Sequence, residues 1–175
     1  HDLFKSAKDI LTSVYDKTFF NNYLNDIITI TNKIVDNESD IEIINFLDLI
    51  KETIADITSF YDSYLISKDN DNVNNSSYPS TSIYDDISTE FQDCMPTLDQ
   101  ILDKLKILQK KFIYFNDNES YRDRFRKLGL IDLISQFSDQ IDIFIESSNS
   151  DSYLSWVKYF HKNNTCSINH LNKDI

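Results

Sequence analysis

Apolar side chains recur at helical spacing along most of this 175-residue chain, and no other feature limits the fold as strongly. The clearest stripe covers about 40–66, where isoleucine, leucine and tyrosine return every three or four residues from Ile43 to Leu65. That spacing places them on one face of an α-helix. No segment with turn residues at both ends alternates apolar and polar residues as a half-buried strand does. The pattern therefore predicts an all-α fold.

Interruptions of this periodicity divide the chain into about six or seven helices. The polar segment 67–82 is predicted to be a long loop, and 162–175 a loose polar tail. Residues 2–36 are predicted to form either one long bent helix or two consecutive helices with a break near 17–20, and we favour two. The other predicted helices are 40–66, 83–93, 97–115, 120–128, 130–147 and 151–161. We expect one helical-bundle domain over 1–175, because a chain of this length can bury a substantial core.

The chain has a single glycine, Gly129. A phosphate-binding P-loop, a dinucleotide fingerprint and a nucleophile elbow each need two or more glycines, so none of these sites can be built. Neither His161 nor His170 has a nearby Ser or Cys with a nucleophile signature, apart from Cys166 in the predicted tail. No pair of acids stands out among the 29 Asp and Glu residues. We expect no catalytic residues, cofactor or metal. Gly129 follows the predicted helix 120–128, where it can take the left-handed conformation that ends a helix.

The formal net charge of −12 limits the classes of partner. Phosphate backbones and anionic lipid surfaces repel so acidic a chain, so we do not expect nucleic-acid binding. A basic protein partner would be attracted. No run of 18 apolar residues occurs, so a membrane span is not expected either.

All three arginines lie within five positions, at Arg122, Arg124 and Arg126. On a helix, Arg122 and Arg126 share a face, while Arg124 points about 160° away. One interpretation is a helix end bound to its own acidic surroundings. The other is a binding site for a carboxylate or an acidic partner segment. The candidate binding residues are Arg122, Arg124, Arg126, Tyr121 and Phe125.

Cys94 and Cys166 are the only cysteines, and they are candidates for a disulfide or for free thiols. A metal site that also uses His161 and His170 is the least favoured alternative, because Cys166 and His170 fall in the predicted polar tail and His161 directly precedes it. The candidate N-glycosylation sites are Asn37, Asn74, Asn75, Asn118 and Asn163. Together with a first residue that is not Met, these features favour an extracellular or cell-surface protein.

The leading functional hypothesis is a non-enzymatic protein that binds another macromolecule through helix faces, with Tyr and Arg as anchors. The alternative is a helical carrier of a small apolar ligand such as a fatty acid. Bulky aromatic side chains with few alanines would hold the helices apart, and the arginines would neutralise the ligand's carboxylate. A carrier needs a cavity of roughly 300 Å³ or more, which distinguishes it from a solidly packed interaction protein.

Overall fold

The computed structural model describes residues 11–35, 40–73 and 83–174, and the predictions that fall on 1–10, 36–39 and 74–82 lie outside them. The described chain is mostly helical, which confirms the predicted class in its main feature. The elements in chain order are β1 (Ser13–Asp16), α1 (Lys17–Ile34), α2 (Ile41–Ser59), a π-helical segment (Phe60–Leu65), α3 (Ile66–Val73), α4 (Ile83–Asp117), α5 (Glu119–Lys127), α6 (Leu130–Asn149), β2 (Tyr153–Phe160) and β3 (Thr165–Asn172).

The three strands correct the all-α prediction. β1 replaces part of the helix predicted within 2–36, β2 replaces the helix predicted at 151–161, and β3 lies in the predicted loose tail. They form one antiparallel sheet in the order β1-β3-β2, with Ile168 of β3 opposite both Tyr15 and Val157. The physical reason is that strands are stabilised by backbone hydrogen bonds to other strands, and β3 forms them on both of its edges. Helical periodicity compares only near neighbours along the chain, so it cannot reveal these partners.

The helix boundaries also differ from the predictions at two places. The helices predicted at 83–93 and 97–115 are one helix, α4, with Pro96 inside it. Cys94 and Leu98 are both buried and lie four residues apart, so the same helix face continues past the proline. The start of the predicted 67–82 loop is helical, because α3 continues to Val73. The break near 116–119 and the left-handed Gly129, at φ 73°, are confirmed.

The described residues divide into two compact units. The sheet unit contains 11–17, 58–73, 83–98 and 144–174, and its core gathers aromatic and β-strand side chains. Tyr15 and Phe144 pack with ring centroids 4.6 Å apart, and Ile168 of the central strand is fully buried. The buried side chains of this unit include Tyr15, Phe60, Tyr61, Leu65, Phe91, Cys94, Phe144, Val157, Cys166 and Ile168.

The helix unit contains the described residues of 18–57 and 99–143. Its core is rich in phenylalanine. Phe46 and Phe115 lie 4.9 Å apart by ring centroids, and Tyr23 stacks on Phe137 at 4.7 Å. The described part of the chain shows no clear bundle of six or seven helices, which corrects the predicted architecture. The single domain over 1–175 stays a prediction.

Candidate functional site

The arginine segment forms α5 in the helix unit, and its inner face is part of the core. Phe125 is fully buried, with its ring centroid 5.2 Å from that of Phe115. Of the candidate binding residues, Phe125 is therefore a packing residue that a partner cannot touch in this structure. Tyr121 is half-buried, and its hydroxyl donates a hydrogen bond to Asp40 Oδ1 at 3.0 Å.

Arg124 joins two helix ends of the same unit. Its Nη2 donates a hydrogen bond to the carbonyl oxygen of Ile34, the last residue of α1, at 2.9 Å. Its Nη1 lies 3.6 Å from the carboxylate of Asp40, which also accepts a hydrogen bond from the Ile43 amide at the start of α2. A cation at the C-terminal end of α1 and a carboxylate at the N-terminal end of α2 both suit the helix dipoles. Arg124 therefore fits the interpretation in which the arginine segment is a helix end bound to its own acidic surroundings.

Arg122 and Arg126 lie elsewhere on the helix surface, as their spacing predicted. Arg122 is half-buried, whereas Arg126 is exposed together with Lys127 and Leu128 at the end of α5. The three arginines do not form one clamp. The last turn of α5 nevertheless concentrates positive charge, since Arg124, Arg126 and Lys127 all belong to it.

A row of two aromatic rings with a cation at each end runs from α4 to α5. Lys111 Nζ lies 5.9 Å from the ring centroid of Tyr114, the Tyr114 and Tyr121 centroids are 6.4 Å apart, and Arg124 Cζ lies 5.7 Å from the Tyr121 ring. We call these four residues the cation–aromatic row. Tyr114 is 42% exposed, and Ile41, which follows Asp40, is 67% exposed. Tyr114 therefore presents aromatic surface to solvent, while Lys111, Tyr121 and Arg124 are half-buried.

Two members of the row, Lys111 and Tyr114, were missed by the sequence analysis. Each helix contributes a pair three residues apart, which places both members of the pair on one helix face. That spacing was a usable signal, but nothing in the sequence says that the two pairs meet.

Burial, followed by the hydrogen bond to Asp40, raises the pKa of Tyr121 to about 12, so its phenol stays a donor at neutral pH.

The sheet unit contains a second candidate site, a cavity of about 370 Å³. The π-helical segment contributes two of the residues that line the cavity, and α3, α4 and β2 contribute the others. The lining residues are Tyr64, Leu65, Lys68, Glu90, Asp93, Cys94 and Tyr159. Burial, and then the charge of Glu90, raises the pKa of Tyr159 strongly and that of Cys94 to about 12. Both groups are therefore neutral at physiological pH.

Both cysteines belong to the sheet unit, where they are buried free thiols. Cys94 Sγ donates to the carbonyl oxygen of Phe91 at 3.0 Å, and Cys166 Sγ donates to that of Tyr61 at 3.4 Å. Burial raises the pKa of Cys166 to about 12 as well. Neither thiol has the low pKa of a nucleophile. The Cys94–Cys166 disulfide stays a prediction that a count of thiols can test.

The two described histidines have different surroundings. His170 is buried between Ser155 and Ser148, with its ring near aromatic side chains of the sheet unit. A histidine beside a serine is a pair that catalysis can use, but here all three residues are enclosed in the core. His161 is exposed, and its Nδ1 lies 3.3 Å from Asp69. Among the residues with a described placement, no group of three or more Cys, His, Asp or Glu side chains could hold a metal ion.

Two of the candidate glycosylation sites can be placed. Asn163 is exposed in the turn between β2 and β3, and Asn118 is a half-buried residue at the start of α5. Asn37, Asn74 and Asn75 lie outside the described residues. A glycan has room at Asn163, where the side chain belongs to a run of exposed residues.

No helix in the described parts of the chain combines the length and the apolar character that crossing a membrane requires. Comparisons with protein-family models, curated protein sequences and solved structures find no match to this chain. Its function must therefore be inferred from its own residues and their geometry.

Proposed function

We propose that this chain is a non-enzymatic interaction protein that binds an acidic segment of a partner protein through the cation–aromatic row. The observation that supports this proposal is the row itself, in which Tyr114 is exposed and the other three side chains are half-buried. Tyrosine and arginine are the side chains that most often anchor protein interfaces, because they combine a large contact area with hydrogen-bonding or charged tips.

The charge of the row favours an acidic partner segment, although the chain as a whole is acidic. Lys111 and Arg124 provide the positive charge, and Arg126 and Lys127 follow at the end of α5. The nearest described carboxylate in these contacts, that of Asp40, is already engaged by Tyr121, Arg124 and the Ile43 amide. Because Asp40 already binds Arg124 and the Tyr121 hydroxyl, a carboxylate from a partner would be attracted chiefly by Lys111, Arg126 and Lys127. The remaining acidic surface would discourage unselective association.

The carrier of an apolar ligand has weaker support. The 370 Å³ cavity is large enough, but Lys68, Glu90 and Asp93 line it, and a fatty-acid chain would desolvate those charges without pairing them. The arginines that were expected to neutralise a ligand carboxylate do not line this cavity. A cavity of about 230 Å³ in the helix unit has apolar walls from Phe112, Ile131 and Ile134, but it is below the size that a carrier needs.

Binding to an array of acidic peptides provides the test. We expect the protein to select peptides in which Asp or Glu flanks an apolar or aromatic residue, with Kd values in the micromolar range or weaker, about 1–100 µM. Lys111→Glu should abolish this selection, because it places a repulsive charge in the row. Lys106→Glu is the matched control, since Lys106 is an exposed lysine of the same helix that is not part of the row.

Backbone amide NMR shifts on the full chain then locate the binding site. The proposal requires that a selected peptide shift the amides around Tyr114 and Tyr121 and that Lys106→Glu bind like the wild type. It is refuted if Lys111→Glu and Lys106→Glu bind the same peptides equally well, because attraction would then be unselective. Shifts confined to the 370 Å³ cavity would instead support ligand binding in the sheet unit.

The extracellular or cell-surface location belongs to the same proposal, and the exposed turn at Asn163 supports it. Expression in a secreting eukaryotic host should give a glycan mass that falls by one glycan in Asn163→Gln. An unchanged mass in that variant would remove this support.

A further inference from the structure

The 370 Å³ cavity of the sheet unit lies beside an irregular stretch of helix. The π-helical segment Phe60–Leu65 interrupts the helical run between α2 and α3, and its residues Tyr64 and Leu65 form part of the cavity wall. Single π-helical turns are less stable than α-helix and occur frequently at functional sites, where they redirect side chains. Here the segment turns one aromatic and one aliphatic side chain toward the cavity.

The charges of the lining favour a cation. Glu90 and Asp93 of α4 supply two carboxylates against the single ammonium of Lys68. After burial, the negative charge of Glu90 is the largest contribution that raises the pKa values of both Cys94 and Tyr159, and Asp93 and Asp69 add to it. The Cys94 thiol and the Tyr159 phenol, which would become anions on losing a proton, are therefore held neutral. The same field that disfavours a new anion stabilises a bound cation.

The aromatic walls offer a second attraction for a cation. Lys68 Nζ lies 5.6 Å from the ring centroid of Tyr64, so this ring already attracts one ammonium group. Tyr159 contributes a further ring, and Leu65 and Cys94 contribute apolar surface. Carboxylates with aromatic faces and some apolar wall are the chemical features that recognise alkylated ammonium groups.

We propose that this cavity binds a small organic cation, an alkylammonium compound, whose charge is balanced by Glu90 and Asp93 and whose alkyl groups contact Tyr64, Tyr159 and Leu65. An organic cation suits the cavity because the cavity is larger than a bare ion. In addition, no group of three or more Cys, His, Asp or Glu side chains among the described residues could hold a metal ion. This site belongs to the sheet unit and is independent of the proposed interaction through the cation–aromatic row.

The test uses choline as the probe and 3,3-dimethylbutanol, its neutral isostere, as the charge control. We expect choline to shift the backbone amide signals of Leu65, Cys94 and Tyr159, with a Kd of about 1–10 mM. The neutral isostere should cause no comparable shifts. Asp93→Asn should weaken choline binding at least about fivefold, because one of two balancing charges is lost.

Asp99→Asn is the matched control for this experiment. Asp93 and Asp99 are both exposed residues of α4, and the two substitutions remove the same charge, but only Asp93 lines the cavity. Glu90→Gln gives a second test of the lining. The proposal holds if Asp93→Asn and Glu90→Gln weaken binding and Asp99→Asn does not. It fails if choline and its isostere shift the same amides equally, if choline causes no shifts at these residues, or if all three variants behave alike.

Discussion

Ser155 Oγ lies 2.6 Å from Nδ1 of His170, and Ser148 Oγ lies 3.1 Å from Nε2 of the same ring. Both ring nitrogens therefore have a hydroxyl partner in the core of the sheet unit. Hydroxyl groups can donate or accept, so they accommodate a neutral imidazole in either tautomer. They cannot neutralise an imidazolium. Burial accordingly lowers the pKa of His170 from 6.5 to about 4.

This lowered pKa predicts a specific loss of stability in acid. Between the unfolded pKa of 6.5 and the folded pKa of about 4, the unfolded chain binds a proton that the folded chain does not. The free energy of unfolding therefore falls as the pH falls, and the contribution of His170 between about pH 7 and pH 5 is about 2 kcal/mol. Urea denaturation at the two pH values should show this loss in the wild type and a smaller loss in His170→Gln.

His161→Gln is the control for the acid experiment, because His161 is exposed and the substitution is the same. It should keep the pH dependence of the wild type. If His170→Gln also keeps it, His170 is not the group that binds the proton, and the acid sensitivity must come from carboxylates.

The buried thiols predict slow reaction with an aromatic disulfide reagent in the native state. With pKa values of about 12 for Cys94 and Cys166, only about one thiol in ten thousand is ionised near pH 8, and thiolate is the reactive form. After unfolding, two thiols per chain should react, since both cysteines are free. Rapid labelling of the native protein would contradict their burial. No labelling after unfolding would establish the Cys94–Cys166 disulfide instead.

Arg124 should contribute more to stability than Arg126. Arg124→Lys loses the planar group that bonds the Ile34 carbonyl and stacks on Tyr121, and we expect the free energy of unfolding to fall by about 1–2 kcal/mol. Arg126→Lys changes an exposed residue in the same turn and should stay within about 0.5 kcal/mol. Chemical denaturation measures both. If the two substitutions lower the free energy of unfolding equally, Arg124 does not have the structural role assigned to it.

Gly129 should be replaceable only at a conformational cost. Its φ of 73° lies in the left-handed region, and a Cβ added there would meet nothing within 4 Å. Gly129→Ala should therefore lower the free energy of unfolding by about 1 kcal/mol through backbone conformation alone, and Gly129→Asn by less. Urea denaturation of the two variants decides this. If alanine costs nothing, or costs no more than asparagine, the left-handed conformation is not what glycine provides.

The sequence by itself determined where most helices lie. The stripe from Ile43 to Leu65, the break after Asp117 and the left-handed Gly129 depend on neighbours within about one helical turn, because helical hydrogen bonds and side-chain faces are local. The same local spacing predicted that Arg122, Arg124 and Arg126 would not form one clamp.

Only the tertiary structure decided the sheet and the two candidate sites. β1 and β3 come from opposite ends of the chain, and a strand is stable only when its backbone groups find a partner, so local periodicity misassigned both. Likewise, Lys111 and Tyr114 meet Tyr121 and Arg124 because α4 and α5 pack against each other. No local sequence pattern indicates that Glu90, Tyr64 and Tyr159 line one cavity. Contacts between distant residues follow from packing of the whole core, which spacing along the chain does not encode.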